Sequence, residues 1–238
     1  MPDLSLVLEE VSAGYHGTQV LKRLSLEVPA GSLVTIIGPN GHGKTTLLRC
    51  ISGLVRVTQG IIRFGTQQLH RLRADQIVAA GVIHIPQGDL LFPEMTVRDN
   101  LLMGAYLPAA NAQAGERIEQ VYQLLPKLAE RRGQIAHTLS GGERRMLAIG
   151  RGLMAIGKIM LIDEPSLGLA PVAIDQIYEA IAGLRKAGRT MLLVEENASR
   201  VVDLADKLCL LDNGHMVWQG NAQELVSRQE VLATYLGG

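Results

Sequence analysis

Apolar positions along the chain follow two periods. Residues 4–10 and 24–28 alternate apolar with polar, as half-buried strands do. Leu33–Ile37 is a continuous apolar run of the kind a buried central strand carries. Residues 60–64, 81–86, Ile159–Asp163 and Thr190–Glu195 read as further strands. Helices are predicted over 46–51, 74–80, 172–186 and 198–205. A hairpin over 207–218 turns at Asn213-Gly214, a strong type I′ signal, and two short helices close the chain. From about 87 to 157 the pattern changes to helical periodicity with no convincing strand. Thr96-Val97-Arg98-Asp99 and Ser140-Gly141-Gly142-Glu143 both fit a capping box there. The pattern predicts one α/β domain over 1–238, its core at 1–86 and 158–238 and a helical insertion at 87–157.

Composition narrows the setting. The chain has 238 residues, 47% of them hydrophobic, enough for a packed core in one large domain with an insertion. Lysine and arginine (23) balance aspartate and glutamate (23). With no basic run or aromatic-basic stripe, a nucleic-acid partner is not expected. No apolar stretch approaches the roughly 18 residues that cross a bilayer. The first residues lack the basic-then-apolar layout of a secretory signal. Cys50 and Cys209 lie among apolar neighbours without metal-ligand spacing and are expected to be reduced, buried thiols of a cytosolic protein.

Two motifs carry nucleotide chemistry. Gly38-Pro39-Asn40-Gly41-His42-Gly43-Lys44-Thr45 fits G-x-x-x-x-G-K-[ST], with a strand before it and a helix opening at Thr46 after it. Its glycines let backbone N–H groups wrap phosphates, and the helix N-terminus adds partial positive charge. Lys44 would reach the β- and γ-phosphates, and the Thr45 hydroxyl would hold Mg²⁺. His42 is expected to face solvent. Asp163-Glu164 ends an apolar strand, so Asp163 can meet the same Mg²⁺ if both strands finish at one edge of a parallel sheet. Glu164 would act on the attacking water as general base or positioner. A plain capping box is one of two readings of Ser140-Gly141-Gly142-Glu143. Two glycines at a helix start nevertheless cost stability and bare N–H groups, as an anion site requires. A second phosphate site in one chain makes sense if it serves a nucleotide bound by another subunit.

With Walker A at 38–45, Leu139-Ser140-Gly141-Gly142-Glu143 and Walker B at 159–164, the chain resembles the ATP-binding subunit of an ABC transporter over essentially its whole length. The resemblance implies an α/β P-loop NTPase core with a parallel central sheet, an N-terminal antiparallel β subdomain and an inserted helical subdomain. It implies ATP and Mg²⁺ as cofactors. It also implies a head-to-tail dimer, homo- or heteromeric, in which Ser140, Gly141, Gly142 and Glu143 act in trans on the partner's ATP. Tyr15 stands where the family places its adenine-stacking aromatic. Gln87 matches the Q-loop glutamine, which contacts Mg²⁺ and senses the membrane partner. Ser166-Leu167-Gly168-Leu169 sits at the D-loop without the usual aspartate. Leu90-Leu91-Phe92 either packs the insertion or helps form the groove for a membrane subunit's coupling helix. The stretch Asp163-Glu164-Pro165-Ser166-Leu167-Gly168-Leu169-Ala170-Pro171, with Leu147-Ala148-Ile149-Gly150-Arg151 and the ending Tyr235-Leu236-Gly237-Gly238, is similar to the branched-chain amino acid importer ATPases, near relatives of urea and short-amide importers. In that family two ATPase subunits pair on the cytoplasmic side of the inner membrane, beneath two membrane-spanning permease subunits. A periplasmic solute-binding protein takes part indirectly.

One position departs from the pattern. The family usually carries a switch histidine facing the γ-phosphate after the strand Thr190–Glu195; here Glu196 stands there. Unit charges about 4 Å apart interact by on the order of 1 to 4 kcal/mol between water and a protein surface. Glu196 therefore turns away, is protonated, or marks a weakened site. The expectation is that the site on this Walker A turns over slowly and a partner's site supplies most hydrolysis. A soluble ABC ATPase acting on DNA or ribosomes would usually show tandem domains, a coiled coil or basic surfaces. A small-molecule P-loop kinase leaves the signature and Glu164 without a role.

Overall fold

The computed structural model describes residues 4–196, 201–222 and 224. Two sheets organise it. β1 (Leu6–Tyr15), β2 (Thr18–Val28), β4 (Val57–Phe64) and β5 (Gln67–Gln68) form an antiparallel sheet in the order β2-β1-β4-β5. β3 (Leu33–Ile37), β6 (Val82–Ile85), β7 (Ile159–Asp163), β8 (Thr190–Glu195), β9 (Lys207–Asp212) and β10 (His215–Gly220) form a six-stranded sheet in the order β10-β9-β3-β8-β7-β6. All its pairings are parallel except β9–β10.

The continuous apolar runs have a simple cause. Along each central strand, alternate residues feed two different cores. Val34, Ile36, Leu161, Leu192 and Val194 face the side that holds the antiparallel sheet and α1 (Lys44–Ile51). Leu33, Ile37, Ile162, Met191 and Leu193 face the side that holds the other helices. A sheet covered on both faces has no polar side, so its strands lose the alternation that marks a half-exposed strand.

After α2 (Ala74–Ala79) and β6 the chain enters a run of helices: α3 (Val97–Met103), α4 (Pro108–Asn111), α5 (Ala114–Leu124), α6 (Pro126–Glu130) and α7 (Gly141–Met154). The Thr96 hydroxyl caps α3 by accepting from the Asp99 amide at 3.1 Å. Helix α8 (Pro171–Lys186) then crosses from β7 back to β8.

Three local expectations change. β2 begins six residues earlier than residue 24, because its register against β1 is broken by bulges that blur the alternation. β5 was not expected, being a polar pair at the sheet edge. The helix expected over 198–205 starts in residues outside the described set, and 201–204 form a turn. The closing helices and the Tyr235–Gly238 ending lie almost wholly outside the described residues. The hairpin at Asn213-Gly214 has positive φ at both residues (46° and 81°), as a type I′ turn requires. Cys50 and Cys209 are both buried, and burial pushes their thiols up to about 12.

Candidate active site

The parallel register sets the site. Ile37 of β3 lies beside Glu195 of β8, Asp163 of β7 beside Val194, and Ile85 of β6 beside Ile162. The segments that leave these four strands therefore emerge at one edge: Gly38–Thr45, Asp163-Glu164, Glu195-Glu196 and Pro86-Gln87. This is the edge where open α/β sheets hold their ligands. A cavity of about 320 Å³ opens there, lined by Asn40, Gly41, Lys44, Thr45, Gln87 and Glu164 among others.

The phosphate-binding loop keeps its shape through backbone geometry. Gly43 caps α1 at φ 109°, and a Cβ there would sit 2.9 Å from the Leu21 side chain. Only glycine meets both demands at low cost. Lys44 is 3% exposed. Its Nζ donates to the carbonyls of Gly38 (2.6 Å) and Pro39 (3.1 Å) and pairs with Glu164 Oε1 at 3.0 Å. Glu164 is also buried, with φ at 41°, and its Oε2 accepts from Gln87 Nε2 at 3.1 Å. A buried ion pair is tolerable when further hydrogen bonds satisfy both groups, as they do here.

Asp163 is fully buried, and burial raises its carboxyl despite the hydrogen bond from Thr45. Its Oδ1 accepts from the Thr45 hydroxyl at 3.2 Å, while its Oδ2 is buried without a hydrogen-bond partner among the described residues. An unpartnered, desolvated carboxylate oxygen beside a hydroxyl is a donor set for a hard divalent cation. The residues present thus fit Mg²⁺.

The signature segment is built differently. Ser140 is the exposed cap of α7. Glu143 Oε2 accepts from the Ser140 amide and hydroxyl, both at 2.9 Å, and the Glu143 amide donates back to Ser140 Oγ at 3.4 Å. Arg131 Nε sits 2.6 Å from Glu143 Oε1. Burial raises the Glu143 carboxyl, but the Ser140 bonds and the charges of Arg131 and Lys127 outweigh it and hold it below the usual carboxylate range. Gly142 is buried, and a Cβ there would lie 2.5 Å from the Ala173 Cβ of α8. Helix packing alone therefore demands one of the two glycines.

Other candidates take distinct places. Asn40 Nδ2 donates to Glu196 Oε2 at 2.9 Å, so the exposed Glu196 carboxylate rests on the rim of the phosphate loop. His42 does not face open solvent: its Nδ1 lies 2.7 Å from Asp212 Oδ1 and 3.2 Å from the Asn213 amide nitrogen. Pro39 and Thr46 flank the loop and helix start, and Thr46 lines the cavity. Tyr15 ends β1, partly exposed, and does not line that cavity.

Residues 21–167 match the family model described as ABC transporter. The chain belongs to this family. It is 41% identical, over 98% of its length and all of the relative's, to the high-affinity branched-chain amino acid transport ATP-binding protein BraG of Pseudomonas aeruginosa. It is 32% identical, over 96% of its length and 97% of the relative's, to the probable branched-chain amino acid transport ATP-binding protein LivF of Archaeoglobus fulgidus. Among solved structures it superposes on the ADP conformation of an ATP-binding cassette of an ABC transporter with a TM-score of 0.87 at 26% identity, each chain wholly covered. This ABC protein is accordingly a nucleotide-binding ATPase.

Two groups at the ATPase edge escaped the sequence reading. Arg145 is buried and donates to the carbonyls of Pro86, Gly88 and Asp163. Glu195 is buried with its Oε1 accepting from the Tyr178 hydroxyl (2.6 Å) and the Ser166 amide (3.2 Å), and burial raises its carboxyl. A charged residue ending an apolar strand was the available signal for Glu195. Arg145, beside Arg144 in a capped helix, gave none.

Proposed function

We propose that this chain is the ATP-hydrolysing subunit of an importer for branched-chain amino acids. The observation that carries the cargo is the 41% identity to BraG across both full lengths. The phosphate-edge geometry supports hydrolysis. In this reading residues 1–238 are a single ABC ATPase domain whose segment 87–157 bears the Q-loop and the signature.

Lys44 releases Glu164 to a γ-phosphate and neutralises charge on it, leaving the Glu164 carboxylate to accept a proton from the attacking water. Gln87 orients that carboxylate. Thr45, Asp163 and Gln87 would hold Mg²⁺, which would offset the negative charge of the phosphates. Backbone N–H groups of Gly41 and Gly43 cradle the phosphates, and Tyr15 stacks on the base. Ser140, Gly141, Gly142 and Glu143 complete a second subunit's site, in a head-to-tail dimer. Glu196, held on the loop rim by Asn40, leaves a like charge near the phosphates, so this chain's own site is the slower of the pair.

Among the described residues no helix is long and apolar enough to cross a membrane. An apolar cleft of about 420 Å³ between α2, β6 and α7 exposes Leu54, Leu90, Phe92, Met103 and Tyr106. It accepts a helix from one of two membrane-spanning subunits, with the chain peripheral on the cytoplasmic side. Pro86 and Leu90 of that cleft bracket Gln87 of the phosphate cavity, so one short loop touches both.

The test is reconstitution with the membrane subunits and solute-binding protein in vesicles. ATP-dependent uptake of labelled leucine, isoleucine or valine is expected, and Mg²⁺ removal by chelation should abolish it. Uptake of urea or short amides alone, or of no amino acid, would overturn the cargo.

A further inference from the structure

Three backbone oxygens from two segments converge on one side chain. Arg145 is 3% exposed. Its Nη1 donates to the carbonyls of Pro86 at 2.8 Å and Gly88 at 2.6 Å, the residues on either side of Gln87. Its Nη2 donates to the carbonyl of Asp163, the residue before Glu164. Asp89, Asp163, Glu164 and Glu195 surround it within electrostatic reach. A guanidinium out of water is costly unless its donors are met; here Nη1 and Nη2 are spent on backbone rather than on a carboxylate, and Nε is buried without a partner among the described residues. An apolar side chain could fill the space but could not fix these carbonyls.

The consequence is geometric. The two bonds to Pro86 and Gly88 hold the peptide units that bracket Gln87. The bond to Asp163 holds the peptide from which Glu164 departs at its positive φ. One side chain of α7 thereby fixes the origins of both Gln87 and Glu164, whose side chains meet at 3.1 Å. The same helix starts at the signature serine.

We infer that Arg145 is a positioning residue for hydrolysis, transmitting the placement of the signature helix to Gln87 and Glu164 through three backbone carbonyls. The inference rests on the reading of Gln87 and Glu164 as the hydrolytic pair. A shift of α7 when a partner's nucleotide engages Ser140 would reset that pair without any contact between the two nucleotide sites.

The experiment uses the full chain assembled with its membrane subunits in vesicles, beside a partner ATPase subunit whose own general base has been removed, so that ATP turnover reports this chain's site alone. Arg145→Met is expected to lower kcat by on the order of 10- to 100-fold, the loss that follows misplacement of reacting groups by about 1 Å. The KM for ATP should stay within about twofold. Arg145→Lys should recover part of the loss, since an ammonium can reach a carbonyl but lacks the planar fork. In a Gln87→Ala background Arg145→Met should cost little more, because both act on one contact. Unchanged kcat, full additivity with Gln87→Ala, or a rise in KM matched by lost thermal stability would each overturn the inference. If Arg145→Met does not assemble, Arg145→Lys and Arg145→Gln carry the same comparison. Glu164→Gln is the control. Normal turnover there would sink the hydrolytic reading itself, whereas its loss alongside an unaffected Arg145→Met would sink this inference alone.

Discussion

The phosphate edge and the signature end of this ABC ATPase solve opposite problems. At the phosphate edge, charges are buried and interlocked: Lys44 on Glu164, Glu164 on Gln87, Thr45 on Asp163. Among the described residues Asp163 Oδ2 is left without a partner. At the signature end the charges are near the surface and already satisfied by neighbours, Glu143 by Ser140 and Arg131. The first region is organised to receive a ligand in the chain alone. The second is stable by itself, and its hydroxyl must exchange Glu143 for a phosphate before it can serve one. An incoming phosphate would therefore have to displace existing bonds there, and its engagement would be weak without a closely apposed partner.

The sharpest break of this comparison sets Gly141→Val against Glu164→Gln in the assembled transporter. Gly141→Val should reduce uptake by on the order of 100-fold or more, because its side chain would keep a partner's phosphate from the N–H donors of this helix start. The ATP affinity of the isolated chain should hold within about twofold. Glu164→Gln should lower hydrolysis at this chain's own site by about 10²- to 10⁴-fold, the range for a lost general base. Under the proposed asymmetry, in which the partner's site carries most turnover, uptake should nevertheless fall less than in Gly141→Val. Uptake assays with matched subunits decide this, and equal or reversed losses would remove the asymmetry.

A smaller effect probes the rim. Glu196→Gln keeps an acceptor for Asn40 but removes a charge beside the phosphates. A like-charge term of about 1 kcal/mol corresponds to roughly a fivefold rise in the hydrolysis rate at this site. A fall would mean the carboxylate is useful where it stands, and no change would mean that its charge does not slow this site.

The smallest effect is in pH. Glu143 is depressed when folded, so its stabilisation is complete above the unfolded carboxyl value of about 4.3 and is lost as pH falls through the lower folded one. Thermal unfolding of the wild type should therefore lose on the order of 0.5 kcal/mol more across that acid range than Ser140→Ala, which lacks the reciprocal cap. Parallel curves for the two proteins would show that the cap contributes nothing.

Much of this was legible in the chain because it depends on local rules. The Gly38–Thr45 loop, the apolar strand before Asp163 and the Ser140–Glu143 box each announce themselves within eight residues. What was not legible depends on meetings between distant segments. Arg145 gains its meaning from carbonyls 59 and 18 residues away, and backbone carbonyls leave no trace in residue types. His42 finds Asp212 across 170 residues. The two glycines of the signature looked alike, yet only the position of α8 shows that Gly142 is required by packing and Gly141 is not. β2 was read short because bulges spoil a period-two pattern without ending the strand.

The strap from His42 to the β9–β10 hairpin carries a practical consequence. A two-residue turn between surface strands is ordinarily a safe place to splice in a tag or a reporter. Here the Gly214 amide donates to the His42 carbonyl, and the Gly214 carbonyl accepts from Lys22. Any Cβ at Gly214 would lie 1.8 Å from the Val20 carbonyl oxygen. An insertion at that turn would be felt in the nucleotide loop. The same wiring makes Asn213 a vantage point from which a small environment-sensitive dye could watch nucleotides arrive.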